Sequence, residues 1–118
     1  MSNLNQDEIY DVNESNVVFL VNNIFAESLR INASDIHIEP QEKLVNVRFR
    51  VDGQFVHFKN FNLNGQGLIT RRIKILGGLK LDESRLPQDG KTSADSTDGH
   101  IEFRISTFPT VHGEKIVI

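Results

Sequence analysis

Two groups of residues in this sequence have types and spacings that could do chemistry. Asp35, His37 and Glu39 recur at every second position, so an extended chain puts two carboxylates and an imidazole on one face, a set able to ligate zinc or manganese. Arg48 and Arg50 share that spacing in the next alternating stretch. Across a hairpin these arginines would repel a dication and offer the carboxylates a simpler partner. Arginine-paired acids also have lowered pKa values and make poor general acids. On that ground a metal-dependent hydrolase built on these three residues is set aside, and no metal is expected. The second group is Ser84 to Lys91, reading Ser-Arg-Leu-Pro-Gln-Asp-Gly-Lys. Pro87 fixes its own backbone angle and Asp89-Gly90 tolerates the positive φ of a tight reversal, so a rigid turn is expected to hold Arg85 and Lys91 at a set distance. Taken alone, Pro-x-Asp-Gly is ordinary turn chemistry.

The elements that must position these residues follow from periodicity. Residues 1–14 are polar and acidic and read as a flexible linker. From Ser15 or Asn16, either a plausible N-cap, an apolar stripe of Val17, Leu20, Val21, Ile24, Phe25 and Leu29 predicts a helix to about Arg30. Asp35 to Glu39 and Leu44 to Val51 alternate and make a hairpin, and Asp52-Gly53 turns the chain into a third strand, Gln54 to Phe58. Asn60 to Gly67 reads as a loop; its Gly65-x-Gly67 lacks the strand and third glycine of a dinucleotide fingerprint. A helix over Leu68 to Leu76 buries Leu68, Ile69, Ile73 and Leu76, is stopped by Gly77-Gly78, and turns Arg71, Arg72 and Lys74 to solvent or to a subunit contact. Thr92 to Ser96 then pairs through Thr97-Asp98-Gly99 with His100 to Ser106, which places Arg104 on a polar face near the cationic turn. The fold class expected is α+β, a mainly antiparallel sheet flanked by helices in one domain, residues 15–118. Glu114 to Ile118 starts a further strand, so the chain is expected to be a piece of a longer protein.

Composition narrows the function classes. A length of 118 residues suits one domain with its own core. Cysteine is absent, which removes disulfides and thiol chemistry. A net charge of −3, from 13 Lys and Arg against 16 Asp and Glu, argues against a dedicated nucleic-acid binder and makes any basic site local. The longest apolar run, Val17 to Val21, is far too short to span a bilayer.

Four stretches in order carry a family resemblance: Ala33-Ser-Asp-Ile-His-Ile-Glu-Pro40, Val47-Arg-Phe-Arg-Val-Asp-Gly53, Arg85-Leu-Pro-Gln-Asp-Gly90 and Pro109-Thr-Val-His-Gly-Glu114. Together they resemble the segment just before the P-loop domain of the type II secretion and type IV pilus assembly ATPases, over roughly Asn16 to Ile118. The resemblance implies a PAS-like N-terminal domain of a cytoplasmic homo-hexamer that works with inner-membrane platform proteins. It also implies ATP and Mg in the full-length parent and none in this chain alone. In the family this domain closes over nucleotide, supplies arginines toward the phosphates and docks on the neighbouring subunit's P-loop domain.

Carried over by residue, the arginine after Pro-Gln-Asp-Gly falls on Lys91, the one before Ser-Thr-x-Pro-Thr on Arg104, and the one before Leu-Pro on Arg85. Lys91 departs from the family: an ammonium keeps the charge but loses the fork that grips two oxygens. No Gly-x-x-x-x-Gly-Lys-Ser/Thr occurs, so hydrolysis by this chain alone is not expected. A reading from another class is a free-standing PAS-like interaction or ligand-sensing module, which would enclose an apolar pocket, whereas an ATPase segment would have a filled core with its cations outside.

Overall fold

The computed structural model describes residues 8–96 and 99–118. Its elements are β1 (Ile9–Tyr10), α1 (Val17–Arg30), β2 (Asp35–Pro40), β3 (Leu44–Val51), β4 (Gln54–Asn62), a 3-10 turn at Leu63–Gly65, α2 (Gln66–Gly77), β5 (Gln88–Ser96), β6 (Gly99–Thr110) and β7 (Gly113–Val117). They build one α+β domain around a seven-stranded sheet in the order β1-β4-β3-β2-β7-β6-β5. Every neighbouring pair is antiparallel except β1 with β4. The period-2 pattern accounts for this: Ile36 and Ile38, Val45, Val47 and Phe49, Ile105 and Ile116 all point to one face. That face meets Val21 and Ile24 of α1 and Ile69 and Ile73 of α2, and these side chains pack into one continuous core.

Local chemistry sets the boundaries. Asp52 and Gly53 both take positive φ, 51° and 81°, as a two-residue hairpin turn requires. Gly78 closes α2 in the left-handed conformation, with its N–H and that of Leu79 bonded back to Ile75 and Lys74. The cap of α1 comes from Asn13 rather than from Ser15 or Asn16: its Oδ1 accepts the N–H groups of Ser15 (2.9 Å) and Asn16 (3.1 Å).

Several expectations are corrected. Residues 1–7 of the expected linker lie outside the described residues, but the remainder is tied down. Ile9 and Tyr10 pair with Asn60 and Phe61, and Val12 is buried in the core. The reason is that Asn62 caps the neighbouring loop from its side chain, accepting the Val12 N–H at 2.9 Å and donating to Asp11 at 3.0 Å. Asn60 to Asn62 is accordingly strand, not loop. Gln88 to Lys91 is also strand, so the expected turn ends at Pro87. On α1, Ser28 takes the buried place and Leu29 is exposed. The expected turn at Thr97 and Asp98 lies outside the described residues.

The largest correction is Lys74. It is buried rather than solvated: Nζ donates to Glu114 Oε2 at 2.8 Å and to the Glu83 carbonyl at 2.6 Å. α2 turns Ile69, Thr70, Ile73 and Lys74 inward, so the lysine lies on the apolar face and needs a buried acceptor. Glu114, on the core face of β7, supplies it.

The other face of the sheet is open and charged. Asp35 meets Arg50 at 3.3 Å and Glu39 meets Arg48 at 2.9 Å, as the alternation predicts. Both guanidinium groups stack on Phe55, Arg50 at 4.2 Å and Arg48 at 4.7 Å from the ring centre. His37 sits edge-on to the same ring, its Nδ1 buried without a hydrogen-bond partner. Its burial, then the charges of Lys115 and Arg48, hold the imidazole pKa below its ordinary value, with Asp35 opposing.

Two outcomes are expected. Lys74→Ala leaves a buried carboxylate unpaired and should lower the unfolding free energy by about 3–5 kcal/mol in urea titrations, whereas Lys74→Met with Glu114→Leu should recover most of the loss. For His37 the unfolded chain binds the proton more readily than the folded one. The stability gained from keeping it neutral is complete above 6.5, the ordinary value, and is lost as pH falls from there toward the lowered folded pKa. Unfolding free energies of the wild type and His37→Gln, measured against pH, should therefore converge or cross as pH falls through that window; a constant difference would contradict the assignment.

Candidate functional site

Antiparallel pairing sets Lys91 directly opposite Arg104 on the open face. The closeness of that contact follows from the bonding pattern. Ile36 and Ile118 exchange both backbone hydrogen bonds, at 2.8 and 2.9 Å, so Val117 turns its own peptide groups the other way, to Ser106. Along β6 the peptide groups of Glu102 and Arg104 then share the direction of Ser106, and those of Phe103 and Ile105 bond β5. Lys91 and Arg104 are thus a non-hydrogen-bonded pair, the arrangement in which facing side chains come closest, with Cα atoms about 4.5 Å apart.

Like charges directly opposite on a sheet are destabilising. The nearest relief is Glu102, whose Oε2 lies 3.8 Å from Lys91 Nζ. Both groups are well exposed, so the contact contributes little. The other described carboxylates of the hairpin are engaged: Asp89 accepts from Ser106 Oγ at 2.7 Å, and Asp95 faces His100 Nδ1 at 2.9 Å. Among the described residues the guanidinium of Arg104 has neither a hydrogen bond nor an ion pair.

The scaffold beneath this pair is tightly fixed. Gly90 is extended, and its lack of a Cβ matters for packing: a Cβ there would meet the Gly77 carbonyl oxygen and lie 2.7 Å from Leu79 Cδ2. β5 therefore rests on the end of α2. Gln88 ties the preceding loop, accepting the Lys80 N–H at 2.8 Å and donating to the Lys80 carbonyl at 3.0 Å and the Glu83 carbonyl at 3.2 Å. Arg85 lies exposed on that loop, its backbone N–H donating to Glu83 Oε2 at 2.8 Å. This hydrogen bond holds the Glu83 carboxyl below its usual pKa.

Of the sequence candidates, then, Lys91 and Arg104 are brought together, while no hydrogen bond or ion pair joins Arg85 to either among the described residues. Asp35 and Glu39 have arginine partners, as described above. Glu102, which the i, i+2 alternation offers as a neighbour of Arg104, lies instead beside Lys91. The residue that the sequence reading missed is Glu114 as the partner of Lys74, which nothing local signals.

The chemistry available is electrostatic. Two fixed cations can stabilise negative charge on a group held by something else. The described residues hold no glycine-rich loop that could cradle a phosphate. The remaining surface clefts include an apolar groove of about 310 Å³ between Phe25 and Leu29 of α1, Leu76 of α2 and Phe103 of β6. Of its lining residues, Phe25 and Leu76 also pack against the core.

The profile of the family described as type II/IV secretion system protein matches residues 11–118. The type IV pilus assembly ATPase PilB of Myxococcus xanthus is 43% identical over 103 residues, 86% of this chain and 18% of that protein. The type II secretion system protein E of Xanthomonas campestris is 40% identical over 105 residues, 89% of this chain and 18% of that protein. The type II secretion system ATPase E of Vibrio cholerae is 34% identical over 114 residues, 97% of this chain and 23% of that protein. The chain thus spans about a fifth of the length of these curated relatives. On a match that runs through both alternating hairpins, the cationic pair and its scaffold, the chain belongs to the type II/IV secretion system protein family.

Proposed function

We propose that this chain is the regulatory and subunit-contact domain of a hexameric secretion or type IV pilus assembly ATPase, directing Lys91 and Arg104 at ATP held with Mg by a P-loop domain of its own or a neighbouring subunit. The observation that carries this reading is the facing pair of like charges on an open, exposed strand pair, where a residue chosen for stability alone would be a carboxylate or neutral. Names of the relatives, pilus assembly ATPase and secretion system ATPase, supply the reaction class. ATP would bring the phosphate anion that the two cations match. Arg104 spans two phosphate oxygens through its planar fork, and Lys91 adds a point charge. Their work is to stabilise charge on the γ-phosphate as it is transferred, with the rigid sheet delivering them by motion of the whole domain. Arg85, out on its loop, is assigned to contact with the phosphates or the facing domain as that domain closes. The assembly would sit at the cytoplasmic side of inner-membrane platform proteins; among the described residues no helix is long and apolar enough to cross a membrane.

In full-length hexamers Arg104→Ala should lower kcat steeply, by analogy with arginine fingers worth roughly 10³–10⁵ in turnover, with circular dichroism unchanged. Lys91→Ala should lower it less, and Lys91→Arg should match or exceed the wild type. Wild-type turnover by Arg104→Ala would sink the assignment. For this chain alone, calorimetry with Mg-ATP should detect no micromolar binding, because two surface cations do not make a nucleotide site.

A further inference from the structure

β5 is an end strand of the sheet, nine residues from Gln88 to Ser96 with β6 on one side only. Because Lys91 and Arg104 form a non-hydrogen-bonded pair, Gly90, Thr92 and Ala94 turn their peptide groups to β6, and Asp89, Lys91, Ser93 and Asp95 turn theirs outward. Among the described residues no backbone hydrogen bond reaches that outer row. Its side chains are also open to solvent, Lys91 71% and Asp95 90% exposed. Below the row lies the apolar groove of Phe25, Leu29, Leu76 and Phe103, with Thr92, Ser93 and Ala94 along its β5 side. By alternation the Ser93 side chain belongs to the other face, so Ser93 borders the groove through its backbone. The free edge and the apolar groove are therefore one continuous surface.

An exposed strand edge is a template for another strand, and charges placed along it ordinarily deter pairing. Here their order favours one partner. An antiparallel copy of β5, related by a two-fold axis through Ser93, sets Lys91 opposite Asp95 of the second copy, Asp95 opposite Lys91 of that copy, and Ser93 opposite Ser93. All of these residues turn their peptide groups outward, so each pair exchanges both backbone hydrogen bonds. On the groove side Thr92 meets Ala94 of the second copy, and these small side chains permit close approach. Other axes fare worse. An axis at Thr92 sets Asp89 against Asp95, and one at Lys91 or Asp95 sets like charges together on the axis itself. An axis at Gly90 pairs Ser93 with Pro87, which has no N–H to give.

We propose that the outer edge of β5 is a pairing surface for a second copy of this chain. Ser93 lies on the axis and borders the groove of each copy, so the two grooves join beneath the paired strands and bury apolar surface from both. A foreign strand would need the same order of charges in its own sequence; this chain already has it. Paired in this way, Lys91 is answered by a carboxylate while Arg104, on β6, is not, so the dimer withdraws one cation from the facing pair. That consequence rests on the function proposed above; the pairing itself does not.

Sedimentation equilibrium of the 118-residue chain over rising concentration is the test, with Lys91→Asp, Asp95→Lys and the double reversal alongside and circular dichroism as the folding control. The wild type should pass from one copy to two. Because the axis repeats each contact, either single reversal turns two attractions into two repulsions and should weaken association by about 10-fold or more. The double reversal puts opposite charges back in the same places and should return it to within about 3-fold of the wild type. Amide exchange in the wild type should slow with concentration at Lys91, Ser93 and Asp95 and stay constant at Thr92 and Ala94, already bonded to β6. A chain that stays monomeric to about 1 mM, or that grows beyond two copies, would overturn the proposal. So would association that the single reversals leave intact or that the double reversal fails to recover, which would assign it to another surface. No readout here involves nucleotide, so a failure of pairing is distinguishable from a failure of the ATP reading.

Discussion

The fold depends on a buried charge being answered. Lys74 reaches the interior from α2, and its ammonium is satisfied at once by the carboxylate of Glu114 on β7 and the carbonyl of Glu83 in the loop before β5. These two bonds connect three separate parts of the chain, and none can move without exposing an unpaired buried charge. The same loop is bound to β5 through Gln88, and β5 is pressed on the end of α2 at Gly90. A rigid path therefore runs from the core to the hairpin that carries Lys91 and Arg104. Hydrophobic burial supplies the larger share of stability, but this ion pair fixes where the helix, the loop and the hairpin lie relative to each other.

That rigidity explains how an unfavourable arrangement can persist. Lys91 and Arg104 face each other on an open strand pair, with one exposed carboxylate nearby. Elsewhere on the same face Asp35 is paired with Arg50 and Glu39 with Arg48, both guanidinium groups stacked on Phe55. The contrast within one surface separates two arginines paired with carboxylates from two cations that face each other. The second side adjoins the cleft lined by Asp35, Glu102 and Arg104.

Much of this was legible in the amino-acid order because it is governed by short-range rules. Alternation at Asp35–Glu39, Leu44–Val51 and His100–Ser106 fixes which side chains face the core, and Asp52-Gly53 and Gly77-Gly78 can only be a turn and a helix stop. The open-face arginine–carboxylate pairs follow from the same period. What was not legible depends on long-range contact. Lys74 reads as one of three cations on a solvated helix face until Glu114, forty residues later in the sequence, is brought beneath it. Ile9 to Val12 looks too polar a neighbourhood to pack until Asn62 binds it. Gly90 suggests a turn by type, but its lack of a side chain serves close approach to α2 instead. At the site, the identities of Lys91 and Arg104 came through the family motifs, whereas their direct opposition required the register.

The central claim is that the facing cations are kept for a partner anion and not for the fold. A double-mutant cycle on the stability of this domain tests it most directly, using Lys91→Ser, Arg104→Ser and the double variant in urea unfolding at low and high salt. The account predicts that each single neutralisation leaves stability unchanged or raises it by up to about 1 kcal/mol, with an unfavourable coupling that salt screens. A loss of more than about 1 kcal/mol in either single variant, with a favourable coupling, would make the pair a structural element held together through Glu102 and contradict the account.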